Sequence, residues 1–249
     1  MQQSNYFTIN KDVYIKFQHL MFNCIVIGYS RNMDVSLKHP FSMIVAGNRR
    51  AGKGEFTKRL VIENERIISP KVEQFIWIYS AWQKELFSEL LSQLSNIQFV
   101  ENLPQNSIEH ERSVDSKNIN TLYIIDDLMN EVSERVDIKN LFTRGRHLNT
   151  SIIFLTQNLF HQGKHTRDMS LNSDYLVIFK NPRDTSSIGN LAKQMMPGNS
   201  KFLQWAYRDA TLKPFSYLFI DLRADTDERV RYRTNILEDI QYAYIAPLV

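Results

Sequence analysis

At 249 residues and 43% hydrophobic content, the chain is long enough to build one large α/β domain around a sizeable core. Its formal charge of +3 is compatible with a polyanionic partner but far short of an excess that would by itself demand one. The single cysteine, Cys24, excludes an intrachain disulfide and a cysteine-built zinc site, and no stretch reaches the ~18 apolar residues that span a bilayer, so a soluble intracellular protein is expected.

Residues 1–38 carry a short apolar run, Met21 to Ile27, with weak periodicity, leaving an arm, an added edge strand and a docking segment all open. From Ser42 onward short β-branched runs alternate with longer amphipathic ones, the pattern of βαβ units and a mostly parallel sheet. Strands are predicted over Phe41 to Ala46, Gln74 to Tyr79, Thr121 to Ile125, Ser151 to Thr156, Tyr175 to Phe179 and Ser216 to Asp221. Helices are predicted over Lys53 to Arg66, Gln83 to Leu94, Ile138 to Arg144, Thr185 to Met196 and Ser200 to Arg208, the fourth capped by Asp184 or Thr185 and ended by Pro197 and Gly198. Glu101 to Asn120 is polar and reads as a surface loop. The tail from Leu222 is charged through Arg233 and then aromatic and apolar, which suits docking on this domain or on a neighbour.

Behind the first predicted strand stands Gly47-Asn48-Arg49-Arg50-Ala51-Gly52-Lys53, a Gly-x4-Gly-Lys loop opening a helix. In such a P-loop the backbone N–H groups wrap phosphates, the helix start adds positive potential, and the lysine reaches the outer phosphates. The next position ordinarily supplies a Ser or Thr hydroxyl to magnesium, and here it is Gly54. Loss of one ligand weakens metal placement without abolishing phosphate binding, because Mg²⁺ keeps waters and phosphate oxygens in its shell. Nucleotide binding is therefore better supported than hydrolysis.

Thr121 to Asp127 is an apolar strand ending in two carboxylates, a form suited to holding Mg²⁺ through Asp126 and polarising an attacking water through Asp127. The following strand ends at Gln157, whose amide is placed to report on the γ-phosphate. The fold class expected is an α/β P-loop NTPase, with an arm or docking segment over 1–38, the ATPase domain over 39–222 and a tail over 223–249.

Several blocks together resemble the packaging ATPases of the FtsK-HerA superfamily, in particular those of Polinton-type elements, virophages, adintoviruses and related double-stranded DNA viruses. The blocks are His39-Pro40-Phe41, Ile76-Trp77-Ile78-Tyr79 with Trp82-Gln83, Ile125-Asp126-Asp127-Leu128-Met129, Leu141-Phe142-Thr143-Arg144-Gly145-Arg146-His147, Phe154-Leu155-Thr156-Gln157-Asn158-Leu159-Phe160 and Phe179-Lys180-Asn181-Pro182-Arg183-Asp184. The resemblance covers about Lys38 to Asn235. It implies a RecA-like core using ATP and Mg²⁺, and a homo-oligomeric ring, pentamer or hexamer, that pulls double-stranded DNA into a capsid, with a capsid or portal component as a further partner. It implies a place in the cytoplasm or nucleus of a host cell, or with the virion.

The resemblance assigns phosphate binding to Lys53, metal to Asp126, catalysis to Asp127 and sensing to Gln157. Rings of this kind take an arginine from the neighbouring subunit to neutralise transition-state charge. Arg146 is the first choice, Arg183 the second and Arg144 the third. Gly54 and Arg50 depart from the family's Gly-x-x-Gly-x-Gly-Lys-Ser/Thr loop and put turnover in question. His161, Lys164, His165 and Arg167 follow the sensor strand, where contacts to DNA phosphates or plain solvation are both open.

The leading expectation is an ATP-hydrolysing DNA translocase. A nucleotide-binding ring subunit without turnover and a P-loop kinase are the alternatives. Trp77, Tyr79, Trp82, Phe202 and Trp205 are expected to pack helices rather than stack bases.

Overall fold

The computed structural model describes residues 6–10, 13–16, 25–30, 35–104, 119–159 and 166–246. The chain forms two compact units, residues 36–176 and residues 1–35 with 177–249. Strands β1 (Tyr6–Asn10), β2 (Val13–Lys16) and β3 (Ile25–Ser30) open the chain and belong to the second unit.

The unit over 36–176 begins with β4 (Leu37–Lys38) and β5 (Ser42–Ala46), followed by α1 (Lys53–Ile62), α2 (Asn64–Ile67) and β6 (Ile68–Ser69). Then come β7 (Gln74–Tyr79), α3 (Lys84–Gln93), β8 (Ile97–Glu101), β9 (Thr121–Asp126), α4 (Met129–Glu134), α5 (Val136–Arg144), β10 (Thr150–Thr156) and α6 (Thr166–Leu171). Five strands stand in the order β5, β10, β9, β7, β8, every pair parallel. The short strands β4 and β6 make a separate parallel pair. Every residue of β5, β9 and β10 is buried, which is why these strands read as unbroken apolar runs rather than as alternating ones.

The expected helix from Lys53 to Arg66 is interrupted at Glu63, which takes φ −90° and ψ 18°. Asn64 follows, buried, and its side-chain amide donates to the Val61 carbonyl at 3.1 Å. A short polar side chain that bonds backbone locally competes with helix continuation, and the break falls where it does so. Strand β8 and helices α4 and α6 were not expected, each being too short to carry a decisive periodicity. Of the loop expected over Glu101 to Asn120, residues 105–118 lie outside the described residues, Glu101 ends β8, and Asn120 is tied to Lys71 and Glu73.

Gly145, between α5 and the 3₁₀ turn Gly145–Leu148, has no room for a side chain. A Cβ there would stand 2.8 Å from the Thr150 carbonyl oxygen, a backbone atom that cannot swing away. The Arg144-Gly145-Arg146 block thus needs its glycine for the approach to β10.

The chain passes from one unit to the other within β11 (Tyr175–Phe179) and continues through α7 (Thr185–Met195), α8 (Ser200–Ala210), β12 (Tyr217–Asp221), β13 (Tyr232–Thr234) and β14 (Ile240–Ile245). As expected, Asp184 caps α7, accepting from the Ser187 amide at 3.0 Å. The second unit orders its strands β12, β13, β14, β3, β2, β1, with every neighbour antiparallel. The run Ser216 to Asp221 is therefore a strand, as expected; it is reached from β11 through α7 and α8 and pairs antiparallel with β13. Residues of the expected tail supply β13 and β14, and Ile25 to Ile27 of the early apolar run enter β3.

Candidate active site

Because β5, β10, β9 and β7 are parallel and in register, their C-terminal ends meet at one edge. Ala46 stands level with Thr156, Leu155 with Asp126, and Asp126 with Tyr79. The next residues of each strand are Gly47, Gln157, Asp127 and the turn leading to Gln83, so four chemically distinct segments converge without any long-range accident. Crevices beyond the carboxyl ends of parallel strands are where α/β sheets take their ligands.

The loop after β5 is drawn in by local bonds. The Gly47 amide donates to Thr156 O at 3.1 Å and the Ala51 amide to Asn48 O at 3.2 Å. Gly52 takes φ 105°, a left-handed conformation that costs glycine nothing, and its carbonyl accepts from Phe56 to start α1. Arg50 is also left-handed at φ 61° and, like Arg49, exposed. The Lys53 ammonium donates to Gly47 O at 2.7 Å and Asn48 O at 3.1 Å, which pins it across the loop and leaves one of its three N–H groups for a phosphate oxygen. Burial lowers the Lys53 pKa, and the nearby Asp126 and Asp127 carboxylates oppose that drop.

Asp126 closes β9 and is buried; Asp127 follows at φ 57° and is exposed. Burial raises the Asp126 pKa, the hydrogen bond from Gln83 Nε2 at 2.8 Å opposes it, and Asp127 raises it further. The Trp77 indole N–H is buried without a hydrogen bond, near enough to Asp126 to favour its ionised form. Gln157 Nε2 donates to Asp127 Oδ1 at 2.9 Å, which leaves Oδ2 for water. The structure thus brings together Lys53, Asp126, Asp127 and Gln157.

A family model for the poxvirus A32 protein matches residues 30–203. The chain belongs to the poxvirus A32 family. No match was found among curated proteins. Among solved structures, the genome packaging NTPase B204 of Sulfolobus turreted icosahedral virus 2 with ATP-gammaS is 15% identical, with a TM-score of 0.54 over 78% of this chain and 95% of that one. The same protein with sulfate is 14% identical, with a TM-score of 0.51 over 84% of this chain and 97% of that one. These likenesses bear out the α/β P-loop fold, a mostly parallel sheet flanked by helices, and the family match bears out the resemblance read from the sequence blocks.

The arginines of this family member are less concentrated than the acids. Arg144 ends α5 and is exposed, Arg146 lies in the following 3₁₀ turn with its side chain outside the described residues, and Arg183 is exposed before α7. Arg183 belongs to the second unit. His161, Lys164 and His165 lie outside the described residues, and Arg167 is exposed on α6.

Among the described residues no group of three or more His, Cys, Asp or Glu side chains could hold a metal alone, and no helix is long and apolar enough to cross a membrane. A P-loop site asks for no such cluster, since Mg²⁺ takes most of its shell from phosphate and water and needs only one or two protein ligands. Asp126, beside the lysine, fits that requirement. The residue that sequence reasoning left without a role is Gln83, whose bond to Asp126 spans 43 positions. Its mark in the sequence is its place in the Trp82-Gln83 pair that follows the strand Gln74–Tyr79.

Proposed function

We infer that the chain is an ATPase that packages double-stranded DNA, working as a ring of like subunits. The observation that carries this reading is the convergence of Lys53, Asp126, Asp127 and Gln157 at adjacent parallel strand ends. In this reading the amides of Gly47 to Gly54 wrap the triphosphate and Lys53 neutralises its outer oxygens. Asp126 would hold Mg²⁺, which when bound would supply neutralisation of phosphate charge. Asp127 Oδ2 takes the proton of the attacking water, and the Gln157 amide orients Asp127 Oδ1 and senses the γ-phosphate.

An arginine from a neighbouring subunit, Arg146 before Arg183, completes the charge balance. The resemblance and the family both support DNA as the cargo, as does the genome-packaging role of the structural neighbour B204. The test is phosphate release with Mg²⁺ and double-stranded DNA, against a Lys53→Ala control. DNA-stimulated release absent from the control is expected; equal rates in both proteins would overturn the enzymatic reading.

Gly54 favours a second reading, a ring subunit that binds nucleotide without turning it over. It predicts ATP binding and oligomers with no phosphate release. A kinase is disfavoured because the Gln157 amide is bonded to Asp127, the arrangement of a water-activating pair, and product analysis limited to ADP and free phosphate would exclude it.

A further inference from the structure

Gly54 leaves a place where a side chain would stand, and that place is not empty of chemistry. A Cβ built on Gly54 would lie 3.9 Å from Gln83 Oε1 and 3.1 Å from Leu86 Cδ1. A Ser or Thr hydroxyl is one bond further out, so the amide of Gln83 stands in the neighbourhood that the usual hydroxyl would occupy. The other end of the same amide donates to Asp126 Oδ2 at 2.8 Å.

In the usual loop one hydroxyl does two things: it offers a lone pair to Mg²⁺ and a proton to a neighbouring acceptor. A glutamine amide divides those tasks between two atoms. Nε2 donates to Asp126, which fixes the orientation of the amide and leaves Oε1 as a neutral, hard oxygen donor of the kind Mg²⁺ and Ca²⁺ accept.

The support of Gln83 is rigid. Its backbone is the N-cap of α3, and its carbonyl accepts from Phe87 at 3.0 Å. Phe87 is fully buried and packs against Trp77, Tyr79, Trp82 and Phe99 at ring-centroid distances of 4.5 to 5.7 Å. Lys58 of α1 bonds Glu89 of α3 at 2.6 Å, which ties the helix of the phosphate loop to the helix of the glutamine.

We propose that Gln83 replaces the missing P-loop hydroxyl, its amide oxygen serving as a ligand of the nucleotide-bound Mg²⁺ while its amide nitrogen holds Asp126. This rests on the reading of the loop as an ATP site. It makes Gly54 one half of a compensated pair, the glutamine oxygen standing beside the position from which a side chain at 54 would project.

The test is a fluorescent-ATP titration of the full chain at stepped Mg²⁺, with parallel titrations in EDTA. In Gln83→Ala the Mg²⁺ concentration for half-maximal enhancement of ATP binding is expected to rise about 10-fold or more, while affinity in EDTA stays that of the unmodified protein. Thermal melts check that each variant is folded. Adding Gly54→Ser to Gln83→Ala is expected to recover most of the Mg²⁺ response, because the serine returns a hydroxyl to the loop and the tight neighbour, Leu86 Cδ1, is the end of a flexible side chain. An unchanged Mg²⁺ midpoint in a folded Gln83→Ala protein overturns the proposal while leaving the ATP site intact. So does a double variant as defective as the single one, since the glutamine would then act through packing. An unmodified protein that binds no ATP at all removes the site itself and the proposal with it.

Discussion

The two units handle buried charge in opposite ways. In the parallel unit, Lys53, Asp126 and Asp127 are gathered at one sheet edge, where burial lowers the lysine pKa and raises that of Asp126. In the antiparallel unit, Arg233 is 2% exposed, lies 4.5 Å over the Phe219 ring, donates to Val35 O at 3.0 Å and stands 3.9 Å from Asp221. The first arrangement keeps its charges in need of partners; the second consumes them in holding the fold. Topology explains the difference. Parallel strands end on the same side, so polar termini accumulate there, whereas antiparallel neighbours send alternate ends to opposite sides and disperse them.

That contrast can be broken most forcefully at Arg233. Arg233→Met is expected to cost roughly 3–5 kcal/mol in denaturant unfolding, the scale for stranding one partner of a buried pair. A loss below ~1 kcal/mol would mean that the second unit does not depend on its charge. Lys53→Ala sharpens the other side: about 10²–10³-fold slower phosphate release, with little or no loss in thermal midpoint because a partly desolvated ammonium is removed. A large drop in thermal stability would recast Lys53 as a structural residue.

Asp126→Asn tests the same idea through pH. A carboxyl whose folded pKa is raised binds its proton more tightly in the folded state, so ionising it costs stability. The cost is absent below the unfolded pKa, grows as pH rises towards the folded pKa and is complete above it. The amide variant is therefore expected to melt a few degrees higher at neutral pH, the shift that ~1 kcal/mol produces, and the advantage should vanish as the pH is lowered to about 4. A constant difference across that range would remove the buried-charge explanation. The smallest effect belongs to Gly54→Thr alone, where the added Cβ crowds Leu86 Cδ1. A change in phosphate release under about 3-fold, roughly 0.6–0.7 kcal/mol, is expected. A gain beyond 10-fold would mean that position 54 lacks its hydroxyl without compensation.

Much of the parallel unit was legible before folding. Runs such as Thr121 to Ile125 and Ser151 to Thr156 are apolar without interruption because both faces are covered, and the observed strands differ from the expected ones by a residue at most. The loop at 47–54 and the acids at 126 and 127 were legible because glycine torsions and strand-end carboxylates are local chemistry. The antiparallel unit was harder to read. Its strands are short, β13 being three residues long, and each depends on partners far away in the chain, as β14 does on β3. The split at Glu63 and Asn64 escaped notice because the apolar face of the helix continues across it.

By itself, then, the sequence determined that a phosphate loop, an acidic pair and a glutamine each follow a buried strand, because backbone torsion, periodicity and side-chain type are properties of neighbours in the chain. Tertiary structure alone decided that Gln83 stands beside Gly54 and bonds Asp126, and that the chain's two ends pair into one antiparallel set. Both depend on which segments lie side by side, and that is fixed by the register of the packed sheets rather than by any local run of residues.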